Sequence, residues 1–196
     1  MTLADVEGRY ELTGLAPGTP VHIGVRRTER TKITVFEYDA SSVRERELES
    51  LEECRECREA KGVVWINIDG VHDISVVETI GDIFDLHSLV REDIVNTNQR
   101  PKVEELEGHM FVVLRAVRPD AEGGVDNEQL SFVLKPGLLV TFQERVGDGF
   151  DPVRRRLRLG LGQIRHHGAD YLLVDQDGDE EFETGAELNV EMFEAG

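Results

Sequence analysis

The chain has 196 residues, enough for one domain with a sizeable core but hardly for two full domains. It carries 40 Asp and Glu against 22 Lys and Arg, and the net charge of -18 excludes a general binder of phosphate backbones, which needs a clustered basic face. Such acidity suits either a salt-adapted protein or one that concentrates divalent cations, and composition does not separate the two.

The start of the sequence has neither the basic segment nor the apolar segment of a secretory signal. No apolar run approaches the roughly 18 to 20 residues that span a bilayer. The two cysteines favour a reducing compartment over a disulfide framework. We therefore expect this chain by itself to be a soluble, intracellular protein.

The first elements are predicted to be a lead-in and a hairpin. Residues 1–19 contain several Gly and Pro and few large apolar side chains in register, which is typical of a poorly ordered segment. Residues 21–25 and 32–38 are rich in β-branched and aromatic residues and are separated by a charged turn, so we expect two paired strands.

A helix is predicted next, over residues 43–60. Ser42 and Glu45 have the spacing of a capping box, and an apolar stripe recurs at mostly three-residue intervals as far as the two cysteines. Cys54-x-x-Cys57 also has zinc-ligand or redox spacing, but a single pair supplies only two ligands. The cysteines continue the stripe, so we favour a packing role.

A buried strand over 62–68 and a second helix complete a ββαβα order. The strand is a short continuous apolar run, and Asp73 has the position of a helix N-cap. The predicted buried face of this helix comprises Val76, Val77, Ile80, Ile83 and Phe84.

The stretch 87–106 places two acids side by side on a predicted short helix. Ser88 is its expected cap, and the residues expected to face inward are Leu89, Val90, Ile94 and Val95. Glu92 and Asp93 then project from another side, beside Arg91. Two interpretations remain open: a solvated face on which Arg91 offsets one acid, or oxygen ligands for a hard cation.

The second half is predicted to be a strand meander followed by a helix. Short connections between strands at 109–117, 129–134 and 138–144 favour antiparallel pairing. Asp151-Pro152 begins an amphipathic, arginine-rich helix whose apolar residues recur as far as Ile164. The class is therefore α+β, with a mixed sheet covered by helices.

Charged motifs near the C-terminus carry little specific chemistry. Residues 175–196 contain nine acids and no Lys or Arg, which predicts a disordered tail. Its start looks like a calcium loop, but Glu180 and Ala186 occupy the positions that need Gly and Glu. His166-His167 is expected to complement the dipole at a helix end.

Several elements together resemble the CorA family of magnesium and cobalt transporters. They are a tryptophan-containing strand, His-x-Leu-x-x-Glu-Asp, Gln-Arg-Pro-Lys, Phe-Gln-Glu and Phe-Asp-Pro-x-Arg, in the family's order between residues 20 and 172. The resemblance is to the family's cytosolic N-terminal domain and implies an α/β/α sandwich. It divides the chain into a lead-in (1–19), a CorA-like domain (20–172) and an acidic tail (173–196).

The resemblance also implies a site and a partner. In such proteins five subunits form a funnel, and acids at the contacts between cytosolic domains bind divalent ions that favour the closed pore. The matched positions are Glu92 and Asp93, which implies Mg2+ or Co2+ as a regulatory ion, copies of the same chain as partners, and the cytoplasmic face of the membrane as location. It implies no catalysis, no nucleic acid and no small-molecule substrate.

The sequence departs from the family after Leu173. Further ion-binding acids on a stalk, membrane helices and a Gly-Met-Asn pore motif are expected in the family and are not found in this chain. An isolated domain, a truncated or frame-altered product and a free-standing paralogue all remain open. A soluble metal-dependent enzyme and an acidic interaction module are the rival functions.

Overall fold

A seven-stranded mixed sheet forms the middle layer of the computed structural model, which describes residues 19–119, 123–147 and 149–173. The predictions for the lead-in up to residue 18 and for the tail from residue 174 lie outside these residues. The strands are β1 (Lys32–Tyr38), β2 (Val43–Glu47), β3 (Val63–Asp69), β4 (Lys102–Leu106), β5 (His109–Pro119), β6 (Val125–Lys135) and β7 (Leu138–Gln143).

The strands lie in the order β2-β1-β3-β7-β6-β5-β4, and β3 and β7 are the parallel pair in an otherwise antiparallel sheet. Both of these strands are almost wholly buried, which is the pattern of strands covered on two sides. The predicted mixed, largely antiparallel sheet and the α+β class are confirmed.

Helices cover both faces of the sheet. Helices α1 (Ile74–Ile83) and α2 (Ser88–Val95) and a 3-10 helix (Leu51–Glu59) pack on one face. Helix α3 (Asp151–Leu159) and a 3-10 helix (Ala169–Leu172) pack on the other. Two hydrophobic clusters, one for each face, therefore form the cores of an α/β/α sandwich.

The segment 21–25 is not a strand, contrary to the prediction. Ile23 forms an isolated parallel bridge to Asn96: its N–H donates to the Val95 carbonyl at 3.1 Å, and its carbonyl accepts from Thr97 N–H at 2.9 Å. Gly24 has φ +150, and a Cβ atom there would lie 2.0 Å from Thr97 Oγ1. This close approach makes the segment a strap over the end of α2.

The predicted helix 43–60 is also wrong, because its first part is strand β2 and its second part is a 3-10 helix. The Asp39 carboxylate accepts from the backbone N–H groups of Ser41 and Ser42 at 2.8 Å each, which closes a turn between β1 and β2. The Ser-x-x-Glu spacing recurs eight residues later, and there Glu53 accepts from Ser50 N–H at 2.9 Å. The helix-start signal was therefore assigned to the wrong serine.

Helices α1 and α2 are confirmed, with two changes in α2. Asp73 caps α1 and accepts from Ser75 N–H at 3.1 Å, and the predicted apolar face is buried. Helix α2 is capped by His87, whose Nδ1 accepts from Leu89 N–H at 3.2 Å, and not by Ser88. Leu89 is 50% exposed, so the predicted inward face of α2 is reduced to Val90, Ile94 and Val95.

In the second half, the antiparallel meander β5-β6-β7 is confirmed and gains the edge strand β4. Helix α3 has Phe150 as its N-cap and ends at Gly160 in the left-handed conformation, so the predicted continuation to Ile164 is wrong. His166 and His167 therefore do not lie at a helix end, and His167 stacks on Tyr171.

Candidate functional site

The two candidate ligands, Glu92 and Asp93, lie in the last turn of α2 and are partly buried. Neighbouring residues of an α-helix point about 100° apart, so the two carboxylates diverge. The positive charge of Arg91 is paired with acids of α1 and not with these two carboxylates, contrary to the solvated-face interpretation. Its Nη1 lies 2.6 Å from Asp82 Oδ1 and 3.3 Å from Glu78 Oε2, both in α1.

Asp93 is held by a cation and an amide from the segment that follows α2. Lys102 Nζ lies 2.6 Å from Asp93 Oδ2, and Gln99 Nε2 donates to Asp93 Oδ1 at 2.5 Å. Burial acts to lower the pKa of Lys102, but the hydrogen bonds and charges of Asp93 and Glu104 outweigh it and leave this pKa raised. Both carboxylate oxygens of Asp93 therefore accept a hydrogen bond.

A hydrogen-bond network fixes this arrangement to the sheet. Gln129 of β6 is buried; its Nε2 donates to the Asp93 carbonyl at 3.1 Å, and its Oε1 accepts from Gln99 N–H at 3.1 Å. Arg115 of β5 donates to the Gln99 carbonyl at 2.8 Å. The loop after α2 is thus tied to two strands, which gives Asp93 a defined position.

The pair offers the hard oxygen donors that Mg2+ prefers, but only part of the six-ligand shell. Among residues 19–119, 123–147 and 149–173 there is no group of three or more His, Cys, Asp or Glu that could hold a metal ion. Any cation bound at Glu92 and Asp93 would need water or another molecule to complete its shell.

The cysteines pack in the core, as predicted. Cys54 and Cys57 are free thiols, and both are buried in the cluster on the α1 and α2 face. Burial and the neighbouring Cys57 raise the pKa of Cys54 to about 12. A thiol with this pKa is protonated near neutral pH and is a poor nucleophile or metal ligand.

A buried ionic cluster at the ends of β6 and β7 was missed by the sequence analysis. Glu128 and Glu144 are 1% and 5% exposed. Arg145 Nε lies 3.1 Å from Glu128 Oε2, and Arg27 Nε lies 3.0 Å from Glu144 Oε2. Burial raises the pKa of both carboxyl groups, and the arginines oppose that shift. No local signal marks these two acids as buried, because Glu128 lies in the polar stretch 126–129 and Glu144 lies between Gln143 and Arg145.

Described residues line an open cleft beside the start of α1. The cleft has a volume of about 690 Å3 and mixes acids with Arg26, Arg30 and His72. Its Ser75 hydroxyl donates to Asp73 Oδ1 at 2.6 Å, a contact that belongs to the N-cap of α1. In the described ranges, no helix is both long and apolar enough to cross a membrane.

Comparisons with known proteins agree on the family. A family of "CorA-like Mg2+ transporter protein" matches residues 60–191, a range that continues past Leu173 into the acidic tail. The cobalt/magnesium transport protein CorA of Thermotoga maritima is 42% identical over 161 residues, which are 82% of this chain and 46% of that protein. The putative metal ion transporter YfjQ of Bacillus subtilis is 28% identical over 125 residues, 60% of this chain and 36% of that protein.

The fold also has a solved neighbour. The full-length CmaX structure aligns with TM-score 0.52 at 14% identity, covering 69% of this chain and 41% of the other. That likeness concerns the fold alone. The chain spans less than half the length of the curated relatives it matches. On the family match and the identity to the Thermotoga protein, this chain belongs to the CorA family of Mg2+ transporter proteins.

Proposed function

We propose that this chain is the divalent-cation-sensing, regulatory domain of a CorA-like Mg2+/Co2+ transport protein, acting at the cytoplasmic face of the membrane. The observation that supports the proposal is the pair Glu92 and Asp93, two partly buried carboxylates that follow one another on α2 of a CorA-family chain. The name of the Thermotoga relative supports Mg2+ or Co2+ as the ion.

Two carboxylates fill only part of the ion's coordination shell, and this supports a second copy of the chain as the partner. Two side-chain carboxylates leave most positions of an octahedral ion to water or to a neighbour. An ion bound only at a contact between copies shifts the association equilibrium by mass action. We propose a pentamer in a full-length protein, with the ion strengthening the contact and its loss leaving like charges face to face.

The test combines titration calorimetry with sedimentation velocity on the full chain. Wild type is compared with Glu92→Ala plus Asp93→Ala, with and without roughly 10 mM Mg2+, in the range that weak oxygen sites require. Ionic strength is held constant, because a chain of charge -18 responds to any salt by screening.

Glu56→Ala with Glu59→Ala is the matched control, since it removes the same charge from two exposed positions of the 3-10 helix Leu51–Glu59. We expect weak binding and Mg2+-dependent association in wild type and in this control, and loss of both in the variant at Glu92 and Asp93. Equal binding and association in all three proteins would refute the assignment.

Two other functions make different predictions. A soluble metal-dependent enzyme needs a positioned base or nucleophile beside the metal, and the described residues around Asp93 supply Lys102, Gln99 and Gln129 instead. An acidic interaction module would keep its activity without Glu92 and Asp93. We therefore propose a non-catalytic role in which these two acids are required.

A further inference from the structure

We propose that Lys102 is a built-in competitor of the divalent ion: its ammonium group occupies Asp93 when no ion is bound, and the ion must displace it. Lys102 thereby sets the ion affinity of the site. This inference rests on the proposed function of Glu92 and Asp93, and it assigns the affinity of that site to a residue that is not itself a ligand.

The geometry places the ammonium group where an ion would bind. Lys102 Nζ lies 2.6 Å from Asp93 Oδ2 and 2.9 Å from Glu104 Oε1, and it also lies 5.5 Å from the centre of the Phe111 ring. Lys102 begins β4 and pairs with Val113 of β5, so its backbone is fixed by the sheet. The side chain therefore reaches Asp93 from a rigid base.

An ammonium group and Mg2+ cannot both bind Asp93 Oδ2 without strong repulsion between the two cations. Mg2+ binds oxygen at about 2.0–2.1 Å, and a second cation 2.6 Å from the same oxygen would be strongly repelled by it. Gln99, the other donor to Asp93, is uncharged and repels an ion far less. Lys102 is thus the group whose displacement the ion requires.

Displacement is feasible because Lys102 has another partner. Glu104 is 43% exposed on the side chain, so the ammonium group can remain paired with it or turn into solvent. No buried, unpaired cation is created, which is the situation that makes breaking an ion pair very costly. The exchange is therefore a reversible competition between a tethered cation and a free one.

Removing the competitor should tighten ion binding. Lys102→Met keeps the apolar length of the side chain and leaves the Asp93 carboxylate without its ammonium partner. A partly exposed ion pair contributes little to stability, so the affinity for Mg2+ is expected to tighten by up to roughly fivefold. Lys102→Arg retains the positive charge and should bind Mg2+ within about twofold of wild type.

The experiment is a calorimetric Mg2+ titration of the full chain at constant ionic strength. The variants are Lys102→Met, Lys102→Arg and the control Lys32→Met, which removes a lysine paired with Glu47 at 3.2 Å on the far edge of the sheet. Tightening is expected only in Lys102→Met. Because Lys32→Met changes the net charge equally, tightening in both would indicate a general electrostatic effect and would overturn the inference.

Failure of this inference is distinguishable from failure of the proposed function. If wild type binds Mg2+, the variant lacking Glu92 and Asp93 does not, and Lys102→Met binds no tighter than wild type, then the site stands and the competitor role is wrong. If the variant lacking both acids binds like wild type, the proposed site fails, and tightening in Lys102→Met would then not act through Asp93, so the inference fails as well.

Discussion

Replacing Arg27 with Met should destabilise the protein because this arginine connects the strap over α2 to the buried ionic cluster. Its Nη1 lies 2.6 Å from Asp126 Oδ1, its Nη2 donates to the Asn127 carbonyl at 2.9 Å, and its Nε lies 3.0 Å from Glu144 Oε2. The substitution keeps an apolar side chain but leaves Glu144 without this partner.

The expected loss is about 2–3 kcal/mol in the free energy of unfolding. Breaking a fully buried ion pair costs about 3–5 kcal/mol, because the remaining charge is uncompensated. Here the Arg27 side chain is 24% exposed, and Glu144 still accepts from Gln129 N–H at 2.7 Å, so the cost is lower. The exposed contact with Asp126 adds at most about 1 kcal/mol.

The loss of unfolding free energy in Arg27→Met should also depend on pH. Burial raises the pKa of Glu144 above its unfolded value of about 4.3, and the Arg27 charge opposes this shift, so removing Arg27 raises the pKa further. A carboxyl with a raised folded pKa contributes stability that is present below the unfolded pKa and is lost as pH rises through the folded pKa. The deficit of the variant should therefore be largest near pH 8 and should shrink towards pH 5.

Urea unfolding followed by circular dichroism at several pH values measures this deficit. Arg26→Met is the control, since Arg26 is the neighbouring residue, is exposed, and donates to the local carbonyls of Thr28 and Glu29. Adding Glu144→Gln to Arg27→Met should recover part of the loss by removing the uncompensated charge. A deficit below about 0.5 kcal/mol, or one that grows on acidification, would refute the reasoning.

Three further outcomes are expected. Leu157 of α3 is buried, and Leu157→Ala should lower the free energy of unfolding in urea by about 3 kcal/mol. Leu159 is 58% exposed, and Leu159→Ala should lower it by less than about 0.5 kcal/mol. Cys54 and Cys57 should react with a thiol reagent far more slowly in native protein than in urea. Purified protein should hold no stoichiometric zinc, and one zinc per chain would contradict the packing role. Hydrogen bonds from the Ser41 hydroxyl and then from backbone N–H groups lower the pKa of Asp39 to about 2. The contribution of Asp39 to stability should therefore be present above about pH 4 and lost as pH falls towards 2. If NMR shows that the Asp39 carboxyl titrates near pH 4, the turn does not hold this carboxylate.

The candidate ligands were found from the sequence, but their surroundings were not. Glu92 and Asp93 stand out as adjacent acids on a short helix. The contact of Lys102 with Asp93 was not foreseen. It joins α2 to β4, and the distance between two such elements depends on how the sheet and the helices pack.

Errors in the first half came from local signals that the surrounding structure overrides. The Ser-x-x-Glu spacing at residues 42–45 and 50–53 is equally good in both places, and the turn made by Asp39 selects the second. Residues 21–25 have strand composition but approach α2 through Gly24, so no neighbouring strand is available to them. A local turn decided the first case, and a tertiary neighbour decided the second.

The sequence by itself determined the central strand β3, helix α1, the meander, the family and the position of the two acids, because apolar periodicity and motif order are local properties of the chain. Only the tertiary structure decided the parallel pairing of β3 with β7, the buried cluster around Glu128 and Glu144, and the cation that holds Asp93. The strand pairing and the cluster join residues distant in sequence, whereas Lys102 is only nine residues after Asp93 but belongs to a different element. The partners in these features are selected by sheet register and by the cost of burying an unpaired charge, and no local pattern encodes either.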